Sequence, residues 1–284
     1  MYNNEEPCNK ADVSFSVLMS VYKNDNPEHF KLALESIINQ TIKPEEIVLV
    51  VDGPVPDTIE EVIKLYEGNS CLKVLRLPEN VGLGNARKIG LEKCSNELVA
   101  LMDADDICVT DRFEKQIKCF QEDSSLSVVG GNIKEFINSV ENIVGIREVP
   151  QNDTDIKKYL KRRCPFNHQT VMFRKTKVEE AGGYIDWYCD EDYYLWIRMY
   201  QNNAKFMNLK DVLVYVRVGN DMYKRRGGWK YFRSEAKLQK YMFDQGIIEL
   251  PTFINNILVR FVVQVLLPNN IRKLVYKKFA RKKI

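Results

Sequence analysis

The strongest constraint in this chain is an alternation. Over the first hundred residues, short and largely apolar runs are separated by segments with helical periodicity. Residues 15–21, 47–51, 73–77 and 98–102 read as strands, and residues 30–38, 58–66 and 85–94 repeat apolar side chains at helical spacing. A strand that is apolar throughout must be covered on both faces, which a parallel sheet with crossover helices achieves. Right-handed crossovers wind it into a doubly wound, mostly parallel α/β sheet. In such sheets ligands gather beyond the carboxyl ends of the strands. That rule singles out three loops: Ser20-Val21-Tyr22, Asp52-Gly53, and Asp103 to Asp106.

Further along, residues 127–150 read as β structure with strands at 128–131 and 143–149. Residues 168–173 read as another strand, 190–200 as a helix, and 205–208 and 212–218 as two more strands. A chain of 284 residues suits one large domain with a modest extension, placed here at residues 1–228 and 229–284. The seven cysteines form no CxxC pair and are odd in number, so reduced thiols in a cytoplasmic protein are expected. With only His29 and His168 available, a structural zinc site is not expected. The polar start has no signal-peptide pattern, and no apolar run approaches the ~18 residues of a membrane span.

Net charge is +3, unevenly spread: from Leu250 onward there are eight Lys or Arg and no acid, leaving 34 basic and 39 acidic residues elsewhere. An acidic body with a basic tail does not suggest a nucleic-acid binder. Within the tail, Ile254, Ile257, Leu258, Phe261, Val262, Val265 and Leu266 share one helical face. After Pro268, Ile271, Leu274, Val275 and Phe279 lie opposite Lys273, Lys277 and Arg281. This fits an interfacial helix on an anionic membrane surface, and equally a helix packed on its own domain with a solvated basic face.

Asp103, Asp105 and Asp106 crowd the end of an apolar strand, and such crowding is unfavourable unless a cation offsets it. Their hard oxygens suit Mg²⁺ or Mn²⁺, although an acidic loop can equally be a solvated one. A second acidic triplet, Asp190-Glu191-Asp192, opens the helix at 190–200. Acids at a helix N-terminus are favoured by the dipole, and one of them can also be a general base. Spacing does not separate these readings.

Six blocks, taken in order, resemble glycosyltransferase family 2: Phe15-Ser-Val-Leu-Met-Ser-Val-Tyr22, Glu35-Ser-Ile-Ile-Asn-Gln-Thr41, Ile47-Val-Leu-Val-Val-Asp-Gly53, Asn80-Val-Gly-Leu-Gly-Asn-Ala-Arg87, Asp103-Ala-Asp-Asp106 and Glu191-Asp-Tyr-Tyr-Leu-Trp-Ile-Arg198. The resemblance implies a GT-A fold, a nucleotide-diphosphate sugar donor (a UDP-hexose or UDP-N-acetylhexosamine) and Mn²⁺ or Mg²⁺. It places Ser20 and Tyr22 in the nucleotide pocket, has Asp52 accept a hydrogen bond from the base, and sets Arg87 near the nucleotide, Asp103 at the ribose and Asp105 on the metal. It makes Asp192 the catalytic base with Glu191 beside it, and sets His168 on the acceptor side.

Two departures refine this. The QxxRW motif of processive synthases is missing, and the stretch from Tyr215 to Gly228 resembles non-processive enzymes that build capsule and exopolysaccharide repeat units on a lipid carrier. Also, Lys88 follows Arg87 where many relatives carry Asn. Arg225 and Arg226 would add charge over the diphosphate or hold the carrier's phosphates, the other reading being a solvated basic loop. Adjacent Gly227 and Gly228 suggest a mobile loop. The expectation is an inverting transferase adding one sugar to a lipid-linked oligosaccharide, at the inner face of the cell membrane. The competing readings are a sugar nucleotidyltransferase, disfavoured because Ser20 to Asn26 contains no glycine, and a non-catalytic nucleotide-sugar-binding module.

Overall fold

In the computed structural model residues 13–219, 226–279 and 281 are described. Four parallel strands start the sheet: β1 (Phe15–Val21), β2 (Glu46–Val51), β3 (Leu72–Arg76) and β4 (Leu98–Asp103). Between them run α1 (Pro27–Ile38), α2 (Asp57–Tyr66) and α3 (Leu83–Lys93). The apolar runs are explained by two cores, one on each face. Phe15, Val17, Met19, Ile47, Leu49 and Ala100 pack into one, while Leu18, Val48, Val50, Val99 and Leu101 pack into the other. α1 starts where Asn26 caps the N–H groups of Glu28 and His29 ahead of Pro27. α3 lies against the sheet at Gly90, where a Cβ would overlap Leu18 and Val50.

The second half is mixed. β5 (Ile107–Cys108), α4 (Arg112–Glu122), β6 (Leu126–Ile137), β7 (Ser139–Arg147) and α5 (Asp153–Leu160) lead to a 3-10 turn at His168–Thr170 and β8 (Met172–Arg174). Then follow α6 (Lys175–Glu180), α7 (Glu191–Gln201) and β9 (Lys205–Arg217). The strand order is β3-β2-β1-β4-β8-β6-β9-β5, with β7 on β6. β8 is antiparallel to both β4 and β6, while β6 and β9 are parallel.

Three sequence expectations change here. His168 begins a 3-10 turn rather than a strand, because Thr170 Oγ1 donates back to the Asn167 carbonyl and closes that turn. The two strands expected at 205–218 are one, β9, whose pairing with β6 shifts register near Asn132 instead of breaking. Likewise β6 runs twelve residues through the short segment expected at 128–131.

The extension comprises α8 (Trp229–Asp244), α9 (Leu250–Phe261), a π-helical turn at Val262–Leu266 and α10 (Asn269–Phe279). α8 joins the second core through Leu238 and Met242. α9 packs in the reverse of the usual sense. Asn256, Arg260 and Gln264 face the domain and are buried, whereas Ile254, Leu258, Val259, Val262 and Leu266 are exposed. The polar ladder is hydrogen-bonded to the domain, although Gln239 Nε2 and Gln264 Oε1 find no partner among the described residues: Asn256 Nδ2 donates to Gln239 Oε1 at 2.7 Å and to the Lys161 carbonyl at 2.9 Å. Arg260 pairs with Glu235, which also accepts from Gln264 Nε2 at 3.0 Å. Gly227 and Gly228 also serve this docking. A Cβ on Gly227 would collide with the Arg272 guanidinium, and Gly228 opens α8 at φ 89°.

Candidate active site

The parallel register places the first group of residues at one sheet edge. Ser20 lies opposite both Val50 and Asp103, so the ends of β1, β2 and β4 are level. Tyr22 projects beyond β1 and is exposed, and its N–H donates to Asp25 Oδ2 at 2.9 Å. Asp52 is buried just past β2. Its carboxylate accepts from Val81 N at 2.8 Å, Asn80 Nδ2 at 2.9 Å and Gly82 N at 3.2 Å. The loop can approach because Gly53 sits at φ 82°, where a Cβ would strike the Asn80 backbone.

Arg87, on α3, is buried and binds this edge to the next. Nη2 donates to Asp103 Oδ1 at 2.9 Å and Nη1 lies 3.5 Å from Glu191 Oε1. Burial alone would lower its pKa, but Asp103, Tyr184, Glu191 and Asp192 outweigh that and raise it. The three aspartates after β4 take different environments. Asp103 is engaged by Arg87, and Asp106 is buried with Oδ1 accepting from Arg217 N at 2.8 Å. Burial, then Asp105 and Asp103, hold the Asp106 carboxyl well above the usual range. Asp105 is exposed on the same turn, and its backbone carbonyl accepts from Arg217 Nε at 3.1 Å.

No group of three or more His, Cys, Asp or Glu is gathered for a metal among the described residues. One exposed carboxylate, Asp105, beside Asp103 nevertheless fits a cation that takes one or two carboxylates and completes its shell with phosphate and water. Asp25 shares this neighbourhood, pushed up to about 6 by burial, with Asp105 and Asp103 adding repulsion.

α7 begins at the second group. Glu191 and Asp192 occupy its first turn, as the dipole favours, yet they face different surroundings. Glu191 reaches Arg87 and is pushed up to about 7 by burial and by Asp192. Asp192 lines a separate cavity of about 350 Å³ together with His168 and Arg226. Burial raises its carboxyl, while Arg87 and the Tyr193 N–H, which donates at 2.7 Å, pull the other way. His168 Nδ1 stands 3.5 Å from Asp192 Oδ2 without hydrogen-bond alignment, and both ring nitrogens lack partners among the described residues. Burial, with Arg87 next, lowers its pKa well below the usual value, so the ring is neutral at pH 7.

The structure thus brings Ser20, Asp52, Arg87, Asp103 and Glu191 along one side, and Asp192, His168 and Arg226 onto the other. Arg225 lies outside the described residues. Sequence reasoning missed Asp25, Tyr184 and three cavity arginines: Arg147, Arg162 and Arg163. The adjacent Arg162-Arg163 pair was a visible signal; Arg147, alone at the end of β7, carried none.

Residues 16–183 match the model of Glycosyl transferase family 2. An uncharacterized glycosyltransferase of Haemophilus influenzae is 42% identical over 95% of this chain and 100% of its own length. The amylovoran biosynthesis glycosyltransferase AmsE of Erwinia amylovora is 40% identical, over 80% of this chain and 84% of its own. A UDP-Gal:alpha-D-GlcNAc-diphosphoundecaprenol beta-1,3-galactosyltransferase of Escherichia coli is 37% identical over 94% and 97%. Among solved structures, the mannosyltransferase PcManGT of Pyrobaculum calidifontis, in complex with GDP-Man and Mn²⁺, superposes with a TM-score of 0.62 at 16% identity, covering 94% of this chain and 75% of that one. With its GT-A-like α/β sheet and a family match over more than half its length, the chain belongs to glycosyl transferase family 2 and is a sugar-transferring enzyme.

Proposed function

We propose that the chain moves one hexose or N-acetylhexosamine from a UDP-sugar to a hydroxyl of a lipid-diphosphate-linked saccharide, inverting the anomeric centre, in surface-polysaccharide assembly. The observation that carries this is the divergence of two consecutive acids. Glu191 turns to the Arg87–Asp103 pair at the strand ends, and Asp192 opens on a second cavity. A transferase that joins two substrates by single displacement needs such a partition, with the base on the acceptor side. The activities of the relatives, transfer to GlcNAc-diphosphoundecaprenol and amylovoran biosynthesis, support the substrate classes.

On this reading Ser20, Tyr22 and Asp52 form the nucleotide side, with Asp52 holding the 80–82 loop against it. Arg87 holds Asp103 oriented toward the ribose. Asp105 would hold Mn²⁺ or Mg²⁺, a group that neutralises charge on a leaving diphosphate. Asp192 takes the proton of the acceptor hydroxyl as its oxygen bonds to the anomeric carbon and the bond from that carbon to the diphosphate breaks. Neutral His168, 3.5 Å from Asp192, is free to hydrogen-bond the acceptor sugar.

The exposed apolar face of α9 and α10, set among the eight basic residues after Leu250, supports docking on an anionic membrane surface at the cytoplasmic side. No helix of the described residues is long and apolar enough to cross a membrane.

The test is nucleoside diphosphate release from a panel of UDP-sugars with an alkyl-diphospho-GlcNAc acceptor, in Mn²⁺, Mg²⁺ or EDTA. Asp192→Asn should keep UDP affinity while transfer falls at least 100-fold, the loss expected of a missing general base. Undiminished transfer in that variant would remove Asp192 from the reaction.

A further inference from the structure

The cavity on the Asp192 side holds more positive charge than the protein itself balances. Arg147 from β7, Arg162 and Arg163 from the loop after α5, and Arg226 before α8 all line it. A fifth, Arg260, is neutralised by Glu235. None of the other four forms an ion pair among the described residues; Arg147 makes only a hydrogen bond, from Nη2 to the Cys164 carbonyl at 3.1 Å. The crowding is costly: burial, then Arg163, and further Arg281 and Arg226, draw the Arg147 guanidinium down to about 10. Cations that converge in excess of the carboxylates beside them, Asp190 and Asp192, are relieved by an anion, and a guanidinium fork matches phosphate oxygens two at a time.

The surroundings define that anion further. Asp103, Asp105, Ser20, Asp52 and Arg87, which form the nucleotide side, do not line this cavity, whereas Asp192 and His168 do. Its opposite wall is apolar: Val259 and Val263 come from α9 and the π turn, and Val275 from α10. These belong to the elements that expose Leu258, Val262, Leu266 and Leu274 outward. A ligand bridging the arginines and this wall carries phosphate at one end and hydrocarbon at the other.

We propose that this pocket holds the diphosphate of a polyprenyl-diphosphate-linked acceptor, setting its first sugar against Asp192 and sending the hydrocarbon out past Val259, Val263 and Val275. The arginines then act as a ruler: they select an acceptor by its diphosphate and fix which sugar of the growing chain reaches the base. This deepens, and rests on, the transferase reading above, but it makes its own claim about which substrate the arginines bind.

The test uses the full-length protein, with farnesyl diphosphate, farnesol and UDP as probes in titration calorimetry. Arg163→Ala, Arg226→Ala and their combination alter half-buried side chains that make no hydrogen bond or ion pair among the described residues, so their melting temperatures should match that of the parent. The double variant should lose at least tenfold in affinity for farnesyl diphosphate and change UDP affinity less than twofold. Transfer to alkyl-diphospho-GlcNAc should fall with it, while transfer to the diphosphate-free alkyl glycoside stays at its low parental level. Farnesol bound as tightly as farnesyl diphosphate, or variants binding both diphosphates like the parent, would overturn the proposal. An equal loss of UDP affinity would also overturn it, by assigning the arginines to the donor. Arginine-dependent binding of farnesyl diphosphate without any sugar transfer would leave the pocket standing and sink the transferase reading instead.

Discussion

Glu191 shows how one carboxyl can be tuned by its position between two sites. Burial and the neighbouring Asp192 raise it from 4.5 to about 7, while Arg87 opposes them. The raised value has a thermodynamic consequence with a definite sign. Between about pH 4.5 and 7 the folded carboxyl keeps a proton that the unfolded one has released, so stability falls as pH rises through that window. Glu191→Gln, which cannot ionise, should flatten that decline. Thermal unfolding from pH 4.5 to 7.5 measures it, and a variant as steep as the parent would place the titration elsewhere. The three aspartates after β4 make a related point. Their crowding pointed to a cation, but spacing could not reveal that Asp106 points inward to the Arg217 N–H while Asp105 faces solvent. That division depends on β9, more than a hundred residues away. No local pattern contains it.

Among the elements, the parallel half was legible because β1, β2 and β4 are buried on both faces and so are apolar at most positions. Residues 15–21, Ser16 and Ser20 apart, and residues 47–51 show this, and β1 and β2 lie there within a residue. The mixed half was harder. The strand expected at 128–131 stops at the Gly130-Gly131 pair, yet β6 continues past it, and those two positions lie against Phe166 and Leu213, where no side chain fits. Similarly, the 3-10 turn at His168 is closed by the Thr170 hydroxyl donating to the Asn167 carbonyl, and anchored by Asn167 Nδ2 donating to the Gly131 carbonyl, a hydrogen-bond choice that periodicity does not report. The same close-approach logic applies to α3. Gly90 touches Leu18 and Val50, so Gly90→Ala gains helix propensity but overpacks the core. The net effect should be a loss of about 1–3 kcal/mol in urea unfolding. A stabilised variant would show that α3 can lift off the sheet freely.

At the scale of the molecule, the apolar stripe of the tail was visible in the sequence, but its orientation was not. Amphipathic patterning says that one face is apolar, and only the partners decide which face meets the domain. Here Gln239, Glu235 and the Lys161 carbonyl claim Asn256, Gln264 and Arg260, and the hydrocarbon is left outward. Replacing exposed Ile254, Leu258 and Leu266 together by Ser should change stability by less than about 1.5 kcal/mol, since surface substitutions away from such contacts cost little. The same triple variant should lose most of its co-sedimentation with anionic liposomes. Equal sedimentation would show that the stripe does not meet lipid. The inverted docking also separates two tasks that a conventional amphipathic helix confounds. A helix held to its domain by its oily side must detach before it can enter a bilayer. One held by a ladder of hydrogen bonds enters as it stands, so the catalytic body arrives already oriented. On the membrane docking proposed above, the enzyme would search for substrate by lateral diffusion, and its turnover should follow the surface density of acceptor in the vesicle rather than its bulk concentration.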